Sequence, residues 1–113
     1  MNYDKLKTEK FSFVYLSQDQ CSVCNVTQPI LEKLASKYKG ATFTRIDLNV
    51  NEYAKGYFSV FTIPAILVYS EGKELLREAR FFNFKEIEER LDRNYEMIFD
   101  VKIIPLNTHK NDI

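Results

Sequence analysis

Phe11-Ser12-Phe13-Val14-Tyr15-Leu16, then Ser17-Gln18-Asp19-Gln20, then Cys21-Ser22-Val23-Cys24 is the stretch whose reading decides how this chain folds. Its first six residues are aromatic, β-branched or aliphatic apart from one serine, so the apolar character is nearly continuous. That is the pattern of a central strand covered on both faces. The next four residues are polar and make a turn. From about Cys21 to Tyr38 the period changes. Val26, Ile30, Leu34 and Tyr38 recur at i, i+4 spacing, with Leu31 and Ala35 widening the stripe, which predicts a helix lying on the sheet by that side. Gly40 closes it, as a residue just past a helix end would.

Working outward, residues 42–48 read as a second strand with Phe43, Ile46 and Leu48 as its apolar members. Asn51 to Phe58 predicts a short helix, weakened by Gly56. Ala65-Ile66-Leu67-Val68-Tyr69 is another strand, and Glu71-Gly72 turns it into Lys73–Arg80, whose mixed polarity suits an edge. Asn83, with Glu86 three residues on, has the form of a capping box opening a last helix. Phe84, Ile87, Leu91, Tyr95 and Ile98 form its buried stripe, and Glu86–Arg90 and Glu89–Arg93 are i, i+4 pairs on the wet side. The order is strand, helix, strand, helix, strand, strand, helix. A βαβ unit followed by a hairpin and a covering helix implies an α/β fold, with a central mixed sheet flanked by helices on both faces.

The two cysteines are the only ones in the chain, three residues apart at the start of a helix that follows a buried strand. Placed at random, two cysteines would share that spacing only about 2% of the time, so a chemical reading takes precedence over coincidence. At a helix start, backbone N–H groups and the helix dipole favour an anion. A contribution of about 1–2 kcal/mol lowers a thiol pKa by roughly one unit, towards neutrality. Cys21 is placed to be a thiolate nucleophile, and Cys24, one turn in, is shielded but near enough to attack a mixed disulfide. The bland alternatives are two inert buried thiols, or a zinc or iron–sulfur site pooling the thiols of two chains. Within one chain only His109 offers a further good ligand, and tetrahedral zinc wants four. No cofactor or metal is therefore expected.

From Phe11 to Ile98 the sequence resembles the thioredoxin family. The resemblance is carried by the strand before the dithiol, Cys21-x-x-Cys24, Pro29 in the following helix and Asp47 ending the next strand. Val60-Phe61-Thr62-Ile63-Pro64-Ala65 and Gly72 in the hairpin complete it. A proline inside a helix costs about 3 kcal/mol or more unless the helix kinks, and the family kinks at this place. The resemblance implies a thioredoxin fold, shortened at the amino end, over residues 1–100, with 101–113 as a tail. It implies Cys21 as attacking thiolate and Cys24 as resolving thiol. Thr62, Ile63 and Pro64 would bind substrate, Ile63 through its backbone, and Pro64 would be cis and packed against the dithiol. The implied function is a thiol–disulfide oxidoreductase acting on disulfide-containing proteins and recycled by a reductase. The alternative is a redox-sensing or non-catalytic binding module using the groove beside Ile63-Pro64. Several positions depart from the family pattern. Gln20 replaces the Trp before the first cysteine, and Ser22-Val23 replaces Gly-Pro. Tyr15 stands in the place of a buried aspartate, Arg45 in that of a lysine, and Arg80 where a glycine follows the hairpin.

Sixteen basic and sixteen acidic residues cancel over the 113, which gives no field to hold nucleic acid or an anionic membrane. The opening residues carry no apolar run of signal length, and no stretch reaches the ~18 apolar residues of a membrane span. A cytoplasmic monomer is expected. Tyr15 reads as core and Arg45 as surface. Phe81, Phe82 and Phe84 read as core packing, the alternative being an exposed recognition patch.

Overall fold

A computed structural model describes residues 3–103. A single 3₁₀ turn, Asp4–Lys7, leads into strand β1 (Ser12–Ser17), helix α1 (Ser22–Ser36), strand β2 (Thr42–Asp47) and helix α2 (Tyr53–Phe58). Strands β3 (Ala65–Ser70) and β4 (Lys73–Ala79) form a hairpin, and helix α3 (Phe84–Phe99) is the last element among the described residues. The sheet runs β2-β1-β3-β4, with β1 parallel to β2 and antiparallel to β3, and β3 antiparallel to β4. Among the described residues no helix is long and apolar enough to cross a membrane. His109 and most of the expected tail lie outside the described residues.

Every residue of β1 is buried, because helices cover both sides of the sheet. Alternation along the strand divides the core in two. Phe11, Phe13 and Tyr15 join Leu31, Tyr38, Leu91 and others under α1 and α3. Val14 and Leu16 join Ile46, Ala54, Phe58 and Leu67 under α2, with Tyr3 and Leu6 sealing that side.

Helix α1 departs from its sequence reading in two respects. Its sheet-facing residues are Cys24, Thr27, Leu31 and Ala35, whereas Val26 and Ile30, expected inside, are 68% and 44% exposed. Both sets have i, i+3/i+4 spacing. On the buried set, Thr27 has a hydrogen-bond partner in Tyr15 beneath it. The helix also ends at Ser36, whose hydroxyl bonds back to the Lys33 carbonyl (2.6 Å), a local bond that competes with the helical ladder. Gly40 (φ 89°) therefore serves the turn into β2, and Tyr38 packs beyond the helix against Phe11, Phe13 and Tyr95.

Asn83 caps α3 as its sequence predicts, its side-chain oxygen accepting the Glu86 N–H at 3.1 Å. Ile87, Leu91 and Tyr95 are buried, while Phe84 and Ile98 are half-buried at the margin. Arg90 donates to the Leu75 carbonyl. At the α1–α3 seam Lys37 bridges Glu88 and Asp92, and the Tyr38 hydroxyl donates to Asp92 (2.7 Å). Burial works against the Lys37 charge, but its hydrogen bonds to Glu88 and Asp92 outweigh that and raise its pKa.

Candidate functional site

Strand register assembles the site. Leu16 faces Ala65 across β1 and β3, and Ala65 faces Ala79 across β3 and β4. The segments Ser17–Cys21, Phe61–Pro64 and Arg80–Phe81 therefore leave neighbouring strands at one end of the sheet. Open α/β sheets present reactive groups at such an end, where loops and helix starts converge.

Cys21 is the N-cap of α1. Its Sγ accepts the Cys24 N–H at 3.1 Å, so the sulfur fills the role a serine or aspartate oxygen plays in an ordinary cap. Cys21 is half-buried and Cys24 is 1% exposed. The two are joined in a disulfide with Cα atoms 5.2 Å apart. One sulfur is thus reachable from solvent at a helix N-terminus, and its partner is shielded one turn further in. A hydrogen bond donated to the outer sulfur favours its thiolate form once the bond is reduced.

Tyr15 underlies this turn. It is completely buried, its ring tilted against Phe43, and its hydroxyl donates to the Cys24 carbonyl at 2.7 Å. β1 is thereby tied to the residue carrying the inner sulfur. Burial pushes the phenol up to about 12, against the opposing pull of the Arg45 guanidinium and a hydrogen bond with Thr27. Tyr15 is core, as its sequence suggested. Arg45 is half-buried and reaches Asp19 at 3.4 Å on the loop that leads to the dithiol.

The opposite wall is Ile63-Pro64. Their peptide bond is cis and Pro64 is buried. Arg77 steadies the approach to it by pairing with Glu74 and donating to the Phe58 and Ser59 carbonyls, which end α2. Phe61 and Thr62 are exposed, and the backbone N–H and C=O of Ile63 have no turn or loop partner among the described residues. Such a free main-chain pair can accept an extended segment as a short added strand. A hollow of about 290 Å³ opens beside Phe61 and Thr62, floored by Ala65 and Ala79.

Two features escaped the sequence reading. Thr27 is a buried hydroxyl partner of Tyr15 on the helix face, with no sequence signal beyond its i+3 spacing from Cys24. Phe81 is 82% exposed while Phe82 and Phe84 pack at the core's edge, so one of the three aromatics expected inside stands on the rim. Arg80, flagged only as standing where glycine is usual, has φ 71°. Holding a side-chain-bearing residue in that region costs roughly 1–2 kcal/mol. No group of three His, Cys, Asp or Glu side chains that could hold a metal occurs among the described residues.

A family model described as Thioredoxin matches residues 2–93. The thioredoxin-like protein YdfQ of Bacillus subtilis is 37% identical over 92 residues, covering 81% of this chain and 82% of that protein. A Staphylococcus aureus thioredoxin is 28% identical over 75 residues, covering 66% of this chain and 72% of that protein. Among solved structures, thioredoxin 1 from Thermosipho africanus superposes with a TM-score of 0.70 at 27% identity, over 76% of this chain and 96% of that one.

Proposed function

The chain belongs to the thioredoxin family and is a thiol–disulfide oxidoreductase of that family, and from this premise we propose that it reduces disulfides in protein substrates by cycling Cys21 and Cys24. In the reduced protein the Cys21 thiolate attacks one sulfur of a substrate disulfide. A bond forms between Cys21 and that sulfur, and the other substrate sulfur leaves as a thiolate and takes up a proton. Cys24 then loses its proton and attacks Cys21 Sγ, which expels the second substrate sulfur. Two electrons pass to the substrate and the protein is left with the Cys21–Cys24 bond. A dithiol reductase must return those electrons for another turn.

The observation that carries the reading is the asymmetry of the pair. The half-buried sulfur accepts an N–H at the start of a fifteen-residue helix, and its partner is sealed beneath it. The free backbone of Ile63 beside the buried Pro64, with Thr62 exposed next to it, supports Thr62, Ile63 and Pro64 as the substrate-binding segment. On this reading residues 1–100 are the redox unit and 101–113 an appendage, and the protein works as a monomer in the cytoplasm.

The test is the midpoint potential of the Cys21–Cys24 couple in dithiothreitol redox buffers. A value near or below the glutathione poise of the cytosol, roughly −220 to −320 mV, is expected of a reductase. A couple as oxidising as about −120 mV would replace this reading with that of a sensor or oxidant.

A further inference from the structure

The end of the sheet that carries the dithiol is built from Ser17–Val23, Phe61–Pro64 and Ala79–Phe82, and only two residues in these segments are charged, Asp19 and Arg80. They stand at opposite flanks. Asp19 belongs to the β2 side, where Arg45 engages it. Arg80 follows β4 on the other side, and its backbone N–H donates to the Pro64 carbonyl at 2.7 Å. The main chain of Arg80 is therefore fixed directly against the proline wall. Its guanidinium lies over the Phe81 ring, 5.5 Å from the centroid, and has no carboxylate partner among the described residues. The neighbouring arginine, Arg77, contrasts with it, being paired with Glu74 and bonded to two carbonyls.

Two facts set Arg80 apart from an ordinary surface charge, beyond a left-handed backbone that Glu71 and Asp100 share. A flat aromatic platform holds the cation beside the wall instead of leaving it to sweep through solvent. The aromatic rim (Phe61 and Phe81, 78% and 82% exposed) offers apolar contact on either side of Pro64. The one opposing charge at this end is already taken by Arg45. A chain lying on Ile63 with its sulfur at Cys21 would meet an unmatched positive charge as it runs past Pro64.

We propose that Arg80, mounted on Phe81, is a specificity-determining residue that selects disulfides flanked by an acidic residue in a polypeptide substrate. The inference rests on the disulfide-reductase reading and adds the chemistry of the preferred partner. A guanidinium recognises a carboxylate with directed N–H donors, so arginine has an advantage over lysine here. Because the site is exposed, the effect is modest and sensitive to salt.

The experiment uses the full chain, reduced beforehand, and three fluorogenic disulfide peptides identical except for Glu, Gln or Lys next to the reactive cysteine. Single-turnover rate constants are divided by those for dithiothreitol, which removes intrinsic differences in peptide reactivity. The wild type is expected to favour the Glu over the Lys peptide roughly five-fold at low ionic strength, and the ratio should collapse towards one in 1 M salt. Arg80→Gln should abolish the preference, its Glu-to-Lys ratio falling to about one, and Arg80→Lys should keep part of it. Arg80→Gly, relieved of the left-handed strain, guards against loss through misfolding and should match Arg80→Gln. Equal normalised rates for the three peptides, or a preference that survives in Arg80→Gln, would overturn the assignment. Oxidised glutathione serves as a fourth substrate. If it outruns the Glu peptide only when Arg80 is present, the cation reads a tripeptide carboxylate and the polypeptide assignment falls. Failure to reduce any substrate would sink the reductase reading itself, which distinguishes the two failures.

Discussion

Replacing Tyr15 by aspartate tests how the inner sulfur loses its proton. Resolution of a mixed disulfide requires Cys24 to ionise while shielded, and burial resists ionisation. The polar side chain beneath it is Tyr15, whose phenol, at about 12, is ionised in roughly one molecule in 100,000 at pH 7. It already donates its proton to the Cys24 carbonyl, so in the native protein it steadies the helix turn but does not accept a proton. A carboxylate there would be a competent base with Arg45 as its nearby counter-charge. General-base assistance is commonly worth 10²–10⁴-fold, so a gain of about tenfold or more in the resolving step is expected. Stability falls in exchange. Truncating a fully buried aromatic costs about 3–5 kcal/mol, a large part of the 5–15 kcal/mol typical of a domain. The assay is stopped-flow reduction of a model mixed disulfide, with folding checked by circular dichroism and Cys21 reactivity by iodoacetamide. Tyr15→Phe is the control. It loses about 1 kcal/mol with the hydrogen bond and gains no rate. If folded Tyr15→Asp resolves no faster, or if Cys21 alkylation accelerates equally, proton acceptance at this position is not what limits turnover.

Cys24→Ser should accumulate mixed disulfides with protein partners through Cys21, visible as dithiothreitol-sensitive bands on non-reducing gels, and Cys21→Ser should accumulate few. Equal trapping by the two would reverse or erase the division of roles. Alkaline stability should fall above pH 10. Tyr15 and Tyr69 each hold their proton to about 12 in the folded chain, mainly through burial, against 10 unfolded. Their contribution is complete below pH 10 and is lost, at about 2–3 kcal/mol each, as pH rises through 12. Urea midpoints between pH 9 and 12 should show the decline, and Tyr15→Phe should make it shallower by about one proton; an unchanged slope would contradict this. Asp92→Ala removes the acceptor of the Tyr38 hydroxyl and one carboxylate of the Lys37 bridge, groups with only about a fifth of their side chains exposed, and should cost about 2 kcal/mol in urea unfolding. A loss below about 0.5 kcal/mol would mean that the seam is held by its apolar contacts alone.

The elements legible in the sequence were those in which one signal dominated. β1 carries an unbroken apolar run because both faces are covered, and α3 opens with a side chain that caps it in the structure. The dithiol and Pro64 were legible because their spacing and neighbours are particular to them. Leu31 and Ala35 lie on the buried face of α1 as their spacing predicts, while Val26 and Ile30 do not, because apolar character alone does not fix which edge of the stripe meets the sheet. Val26 and Ile30 are more apolar than Thr27, but Thr27 has a hydrogen-bond partner in Tyr15, twelve residues earlier in sequence, that no periodicity reveals. Phe81 was read as buried on the same reasoning, although the left-handed residue before it turns the chain outward. Arg80 was visible as an oddity. Its bond to Pro64 joins segments sixteen residues apart, which no local pattern encodes.

The position of β1 at the heart of the sheet has a consequence for biosynthesis. Ser12 pairs with Thr42 on one side and Tyr69 on the other, while the β3–β4 hairpin closes locally from Ser70 to Lys73. On the ribosome this apolar strand emerges before either of its partners, with both hydrogen-bonding edges bare, and its second neighbour, β3, is made only after α1, β2 and α2. Synthesis at about 5–20 residues per second leaves that interval several seconds long. The nascent chain therefore spends those seconds as a sticky, unpaired strand, and slowing translation after residue 17 should increase its capture by chaperones or its aggregation, even though the finished domain shields the same residues completely.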